Sequence, residues 1–250
     1  MQIYNSIINA KAKGLKQLAV LIDPDKVEGN HLPELIKRCV VAKVDYIFVG
    51  GSLLTKGNLF TTIAAIKSLC SIPVLIFPGS HQQVESNADG LLLLSLISGR
   101  NPELLIGQHV IAAPFLKKSG LEVLSTGYLL IESGTQTTVQ YISNTSPLPS
   151  NKPEIAACTA LAGELLGMKL IFAEAGSGAQ NAVPEKIIAA IKEVISVPLI
   201  VGGGIRSAEQ ARKSCHAGAD IIVVGNILEK EPELVTQIAE AIHSYSIALK

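Results

Sequence analysis

Short apolar runs alternate with amphipathic stretches along most of the chain. Eight runs read as strands: 17–22, 45–49, 74–77, 90–94, 121–131, 169–172, 198–201 and 220–224. Several lack hydrophobic–polar alternation, as expected of strands covered on both faces. Between them, apolar residues recur at helical spacing. Leu32, Leu35, Ile36, Cys39 and Val40 form one stripe, and Ile187, Ile188, Ile191, Val194 and Ile195 form another. Leu234, Val235, Ile238, Ala241, Ile242 and Tyr245 form a third, near the end of the chain. Ser207, followed by Glu209 and Gln210, reads as a helix start. Such alternation predicts βαβ units and a parallel sheet, here an α/β fold with one (β/α)8 TIM barrel spanning residues 1–250. The pattern blurs at 80–101, which has a short polar stretch where a full helix is expected, and at 132–153. The second interval is rich in Ser, Thr, Asn and Pro and predicts a long loop over the barrel mouth.

Composition narrows the function. The 250 residues are 48% hydrophobic and 4% aromatic, contain no tryptophan and carry zero formal net charge. Neither a basic footprint nor stacking platforms for nucleic acid are present. Cys39, Cys70, Cys158 and Cys215 are widely spaced and form no CxxC, so they read as buried small apolar residues. The five histidines lack metal spacing, and only His81 lies near the predicted mouth. With no apolar leader and no run of membrane-spanning length, a cytoplasmic protein is expected, with a peripheral membrane contact left open.

The strand ends carry the chemistry. Two apolar runs stop at glycine near the C-terminus, at Gly202-Gly203-Gly204 and at Gly225-Asn226. They correspond to the loops after strands seven and eight, the usual phosphate grip of such a barrel. Arg206 follows the triple glycine, where it could meet a phosphate or a neighbouring acid. Strand one ends in Asp23-Pro24-Asp25-Lys26, which is good turn chemistry and also places a carboxylate where Mg²⁺ could sit. Strand two ends in Gly50-Gly51-Ser52, with the Ser52 hydroxyl beside Asp23 if the strands are neighbours. Strand six leads into Glu174, followed by Ala175-Gly176-Ser177-Gly178. A carboxylate beside a phosphate cradle suits a general base acting on a substrate hydroxyl.

In combination, LIDPDK (21–26), VGGS (49–52), FPGS (77–80), LSLISGRNPELLIGQ (94–108), FAEAGSGA (172–179), VGGGIR (201–206) and VGN (224–226) resemble the geranylgeranylglyceryl phosphate synthase family, which includes bacterial heptaprenylglyceryl phosphate synthases. The longer EAGSGA and SLISGRNP forms look like the second of its two sequence groups. The resemblance implies a TIM barrel modified at its third helix. It also implies transfer of a polyprenyl group, geranylgeranyl foremost, from its diphosphate to sn-glycerol 1-phosphate. Asp23 and Ser52 match the Mg²⁺ residues, and Phe172, Ala173, Glu174, Ala175, Gly176, Ser177 and Gly178 match the glycerol phosphate segment. Gly203, Gly204, Gly225 and Asn226 match its phosphate grip. Glu174 matches the base, and Tyr128 a tyrosine beside the reacting groups. Homo-oligomers, dimeric or hexameric, are implied as well. Leu21 stands where the other group has a phosphate-binding lysine, leaving Lys26 as a candidate replacement, and Phe172 stands where many members have tyrosine. Two alternatives remain at this point: an isomerase or cyclase of the histidine-biosynthesis type, and a non-catalytic phosphate-binding barrel.

Overall fold

Eight parallel strands close into a barrel in chain order, with the first pairing with the last. The computed structural model describes residues 2–26 and 31–245. The order is α1 (Ile3–Ala12), β1 (Gln17–Ile22), α2 (His31–Val41), β2 (Tyr46–Val49), α3 (Leu59–Leu69), β3 (Val74–Ile76), β4 (Gly90–Leu96), α4 (Gln108–Ser119) and β5 (Glu122–Leu130). It continues with α5 (Thr138–Ser143), α6 (Pro153–Leu165), β6 (Leu170–Glu174), α7 (Glu185–Val194), β7 (Leu199–Gly202), α8 (Ala208–Ala217), β8 (Ile221–Val224), α9 (Asn226–Lys230) and α10 (Leu234–His243).

All eight expected strands are present, and they differ from expectation at their ends. β6 runs on to Glu174 because the long β5 keeps pairing, Leu129 with Ala173 and Leu130 with Glu174. The interval 132–153 is not wholly loop, since it contains α5. Between β3 and β4 there is no helix, in line with the modification that the resemblance implied. Ser207 caps α8, its side chain accepting the Gln210 N–H at 3.2 Å. Cys158 is exposed, contrary to its expected burial, because it lies on the outer face of α6.

Successive strand residues point alternately into the barrel and outward to the helices. Ala19, Tyr46, Phe48, Leu75, Leu124, Leu170 and Phe172 fill the interior. Val20, Ile47, Ile76, Leu129, Ile171 and Val201 pack under the helices, with Ile36, Ile63, Ile187 and Ile238 among their partners. Both faces are apolar, which is why the strands read as unbroken hydrophobic runs. Helix α1 closes the N-terminal end of the barrel. Its Ile3 and Ile7 enter the interior cluster, and the Glu122 carboxylate accepts the N–H groups of Ile3 and Tyr4 in the first turn. An acid at that terminus also complements the helix dipole.

A buried ion cluster lies at the same end. The Asp220 carboxylate accepts the Leu199 N–H at 2.9 Å and contacts Lys192 Nζ at 2.6 Å and Lys16 Nζ at 3.5 Å. Burial is the main cause of the lowered Lys16 pKa. Asp220→Asn leaves the Lys16 ammonium enclosed without its counter-charge. It is expected to lower unfolding free energy by about 3 kcal/mol in urea titration at neutral pH. A loss below about 0.5 kcal/mol, the ordinary range for surface changes, would show the cluster to be unimportant for stability.

Candidate active site

The C-terminal end of the barrel centres on one buried carboxylate. Glu174, the last residue of β6, is 5% exposed and accepts the Tyr128 hydroxyl at 2.6 Å. Burial pushes its pKa up to about 7, partly offset by that hydrogen bond. Burial also raises the Tyr128 pKa, and the neighbouring carboxylate adds to the effect. Tyr128 therefore stays a hydrogen-bond donor while Glu174 can exchange a proton near neutrality. The tyrosine belongs to an aromatic triad: its ring centroid lies 5.6 Å from Phe172 at 82° and 6.1 Å from Phe77, and Phe77 and Phe172 are 5.4 Å apart. Edge-on contacts of this kind fix ring positions and exclude water. Phe172 is thus part of the barrel core beneath Glu174.

The glycine-rich turns after β6 and β7 interlock beside Glu174. A Cβ on Gly203 would come within 2.8 Å of Gly176 N and 2.9 Å of Ala175 N, so only glycine permits the approach. Gly176, Gly178, Gly203 and Gly204 all have positive φ. Among the described residues, the N–H groups of Gly176, Ser177, Gly203 and Gly204 donate to no backbone carbonyl. Asn226, after Gly225, closes the third side, its Nδ2 lying 3.2 Å from Ser177 Oγ. Backbone N–H groups brought this close by turns of positive φ suit an oxyanion. Ala173 and Ala175 differ from the rest of their segment. Their side chains pack in the outer core, so only their backbone can serve the site. Arg206 donates to the Ala179 carbonyl at 2.7 Å and ties the two turns together.

Asp23 and Ser52 follow neighbouring strands, since β1 and β2 pair as far as Ile22 and Val49. Asp23 Oδ1 accepts the Asp25 N–H at 3.0 Å. A Cβ on Gly51 would lie 3.1 Å from the same oxygen, so glycine there leaves room around the carboxylate. Asp25 has a role that sequence reading missed. It accepts the N–H groups of Thr55, Lys56 and Gly57 at 2.7, 3.0 and 2.6 Å and the Thr55 hydroxyl at 2.8 Å. These bonds, the Gly57 one foremost, hold its pKa well below the usual carboxylate range and brace the β2–α3 loop against β1. Lys26 Nζ lies 3.7 Å from Asp23, 3.1 Å from Glu229 and 3.2 Å from Asn226 Oδ1.

From Ser52, Phe77 and Tyr128, a cleft of about 1050 Å³, counting its open mouth, runs sideways into the gap left by the missing helix. Leu91, Leu93, Leu94, Leu96, Leu104, Ala112 and Leu116 line it, with His81, Gln83 and His109 among its polar residues. His109 Nε2 meets Ser95 Oγ at 3.1 Å, and burial lowers its pKa, which favours a neutral ring in an apolar wall. Sequence reading had not assigned the wall, because its residues come from separate segments brought together only when the barrel closes.

The same barrel is found in what the chain is similar to. It is 58% identical to a geranylgeranylglyceryl phosphate synthase of Chitinophaga pinensis over 100% of this chain and 99% of that one. It is 54% identical to the same-named protein of Spirosoma linguale over 94% and 95%. Its backbone matches the crystal structure of (S)-3-O-geranylgeranylglyceryl phosphate synthase from Thermoplasma acidophilum, in complex with its substrate sn-glycerol-1-phosphate. That match has a TM-score of 0.91 and 31% identity, covering 98% of this chain and 100% of the other. The PcrB family profile matches residues 11–242. Matched over nearly its full length and sharing the barrel, the chain belongs to the PcrB family.

Proposed function

We propose that the protein transfers a polyprenyl group, geranylgeranyl foremost, from its diphosphate to the primary hydroxyl of sn-glycerol 1-phosphate, forming an ether and releasing pyrophosphate. The observation that carries this reading is the buried Glu174–Tyr128 pair at the mouth, between the glycine turns and the opening of an apolar cleft. The names of the relatives and the glycerol phosphate in the Thermoplasma complex support it.

The acceptor's phosphate would lie on the turns of Gly176–Gly178, Gly203, Gly204, Gly225 and Asn226. Its hydroxyl then faces Glu174, and the prenyl chain enters the cleft with its reactive carbon near Tyr128. The carbon–oxygen bond to the diphosphate breaks, the acceptor oxygen bonds to the same carbon, and Glu174 takes the hydroxyl proton. A pKa of about 7 suits that base, since it is deprotonated in part at neutrality and strong enough to accept a proton. The dry aromatic floor limits capture of the electron-poor prenyl carbon by water.

Asp23 and Ser52 fit Mg²⁺: both offer hard oxygen, and Gly51 leaves space at the carboxylate. Among the described residues, no three His, Cys, Asp or Glu side chains converge into a complete cage, so the diphosphate would supply the remaining ligands. When bound, the ion would neutralise charge building on the departing diphosphate. An isomerase or cyclase with paired acids on β1 and β5 is disfavoured, because β5 ends in the buried Leu130. A pure phosphate binder has no need of a buried base.

The assay supplies labelled sn-glycerol 1-phosphate, Mg²⁺ and prenyl diphosphates from geranylgeranyl to heptaprenyl. Ether product is expected, most rapidly with geranylgeranyl, whereas no product with any donor would sink the reading. Glu174→Gln is expected to lose about 10²-fold or more of turnover while still binding glycerol phosphate. In the wild type the base is active only when ionised, so kcat/KM should rise with pH through about 7. A flat profile from pH 6 to 8 would remove Glu174 from that role. Asp23→Asn is expected to weaken Mg²⁺-dependent pyrophosphate binding about tenfold by calorimetry, and unchanged metal dependence would refute the ligand assignment.

A further inference from the structure

The grip proposed for the acceptor phosphate is built almost wholly from neutral groups: backbone N–H groups, the Ser177 hydroxyl and the Asn226 amide. A cation beside these groups would strengthen the hold on a phosphate dianion. Arg206 and Lys26 are the basic side chains described at its edge, and they are differently placed. Arg206 donates to the Ala179 carbonyl at 2.7 Å and acts as a tie between turns. Lys26 reaches the grip itself, with Nζ 3.2 Å from Asn226 Oδ1. The other end of that amide, Nδ2, lies 3.2 Å from Ser177 Oγ. One polar chain, Lys26–Asn226–Ser177, therefore links the loops after β1, β8 and β6.

We propose that Lys26 is the residue that neutralises the acceptor's phosphate, with Glu229 and, less closely, Asp23 as its counter-ions when no phosphate is bound. The proposal rests on the glycerol phosphate reading given above and assigns the charge that this reading lacks. Three observations favour it. The Lys26 side chain is 40% exposed, so it can swing from Glu229 to a ligand without unpacking any core. Its ammonium meets the Asn226 oxygen, and both ends of that amide lie near Ser177 Oγ, Nδ2 at 3.2 Å and Oδ1 at 3.4 Å, so the charge stands one residue from the turn after β6. No cation can come from position 21 of β1, where Leu21 packs against Gly225, a Cβ on which would lie 3.3 Å from Leu21 Cβ.

The test is calorimetric titration with sn-glycerol 1-phosphate, without metal or prenyl donor, followed by titration with Mg²⁺–pyrophosphate. Lys26→Met is expected to weaken glycerol phosphate binding about tenfold and to flatten its salt dependence. Lys26→Arg should recover most of that loss. Melting temperature should remain near the wild-type value in both variants, and Mg²⁺–pyrophosphate affinity should not fall in either, since Lys26→Met takes a positive charge away from beside Asp23. Binding by Lys26→Met within about twofold of wild type would overturn the assignment while leaving the glycerol phosphate reading intact. Loss of pyrophosphate binding as large as the loss of glycerol phosphate binding would also overturn it, since the lysine would then serve the donor side. Failure of the wild type to bind glycerol phosphate would overturn both.

Discussion

The site depends on keeping one carboxylate dry. Glu174 ends a strand whose neighbours are Leu130 and Gly202, and beneath it lies the ring of Phe172. Little in that environment solvates a charge, so the proton is held until near-neutral pH. Among the described residues, the Tyr128 hydroxyl is the side-chain contact that tempers this. Without it the carboxyl would be a weaker proton donor and would have no fixed direction. With it, the acid is aimed, and its affinity for a proton suits a hydroxyl that becomes acidic only as its new bond forms. The aromatic triad, the barrel interior below it and the helix that seals the far end all serve to maintain this low-dielectric floor.

Around that centre the strand-end loops divide the labour by geometry. Interlocked glycine turns present backbone donors on one side, and a carboxylate and a hydroxyl stand on the side of β1 and β2. The loops are held by groups that need not touch any ligand. Asp25 gathers three N–H groups of the next loop, and Arg206 fastens the sixth turn to the seventh. A Mg²⁺ site formed by one carboxylate would be weak by itself and would strengthen when the diphosphate arrives. Metal affinity and donor affinity would then be coupled.

Much of this was legible in the sequence, because parallel barrels write their strands as apolar runs and their sites as breaks in those runs. Glu174, Asp23, Ser52 and the C-terminal glycines all stand where such a run stops. What was not legible depends on closure. The resemblance put Tyr128 beside the reacting groups but not against Glu174, since a tyrosine in β5 finds its partner 46 residues later through strand register. Lys26 meets Asn226 across 200 residues, where the first strand closes on the eighth. Asp25 looked like turn chemistry and is the brace of a neighbouring loop. Ala173 lies beside Glu174 in sequence, yet the two-residue period of a strand sends it to the opposite face.

The missing helix between β3 and β4 has a consequence for traffic. A barrel shut below by α1 and open only above would force greasy and charged reactants through a single doorway. The lateral breach supplies a second one, bordered by leucines, so that polarity itself sorts the molecules. On the proposed reaction, pyrophosphate and glycerol phosphate pass through the upper mouth among amides and ions, while the hydrocarbon tail slides in and out through the side wall. The new lipid could then start to depart tail-first before its phosphate lets go, and the chain would never need to cross the polar rim.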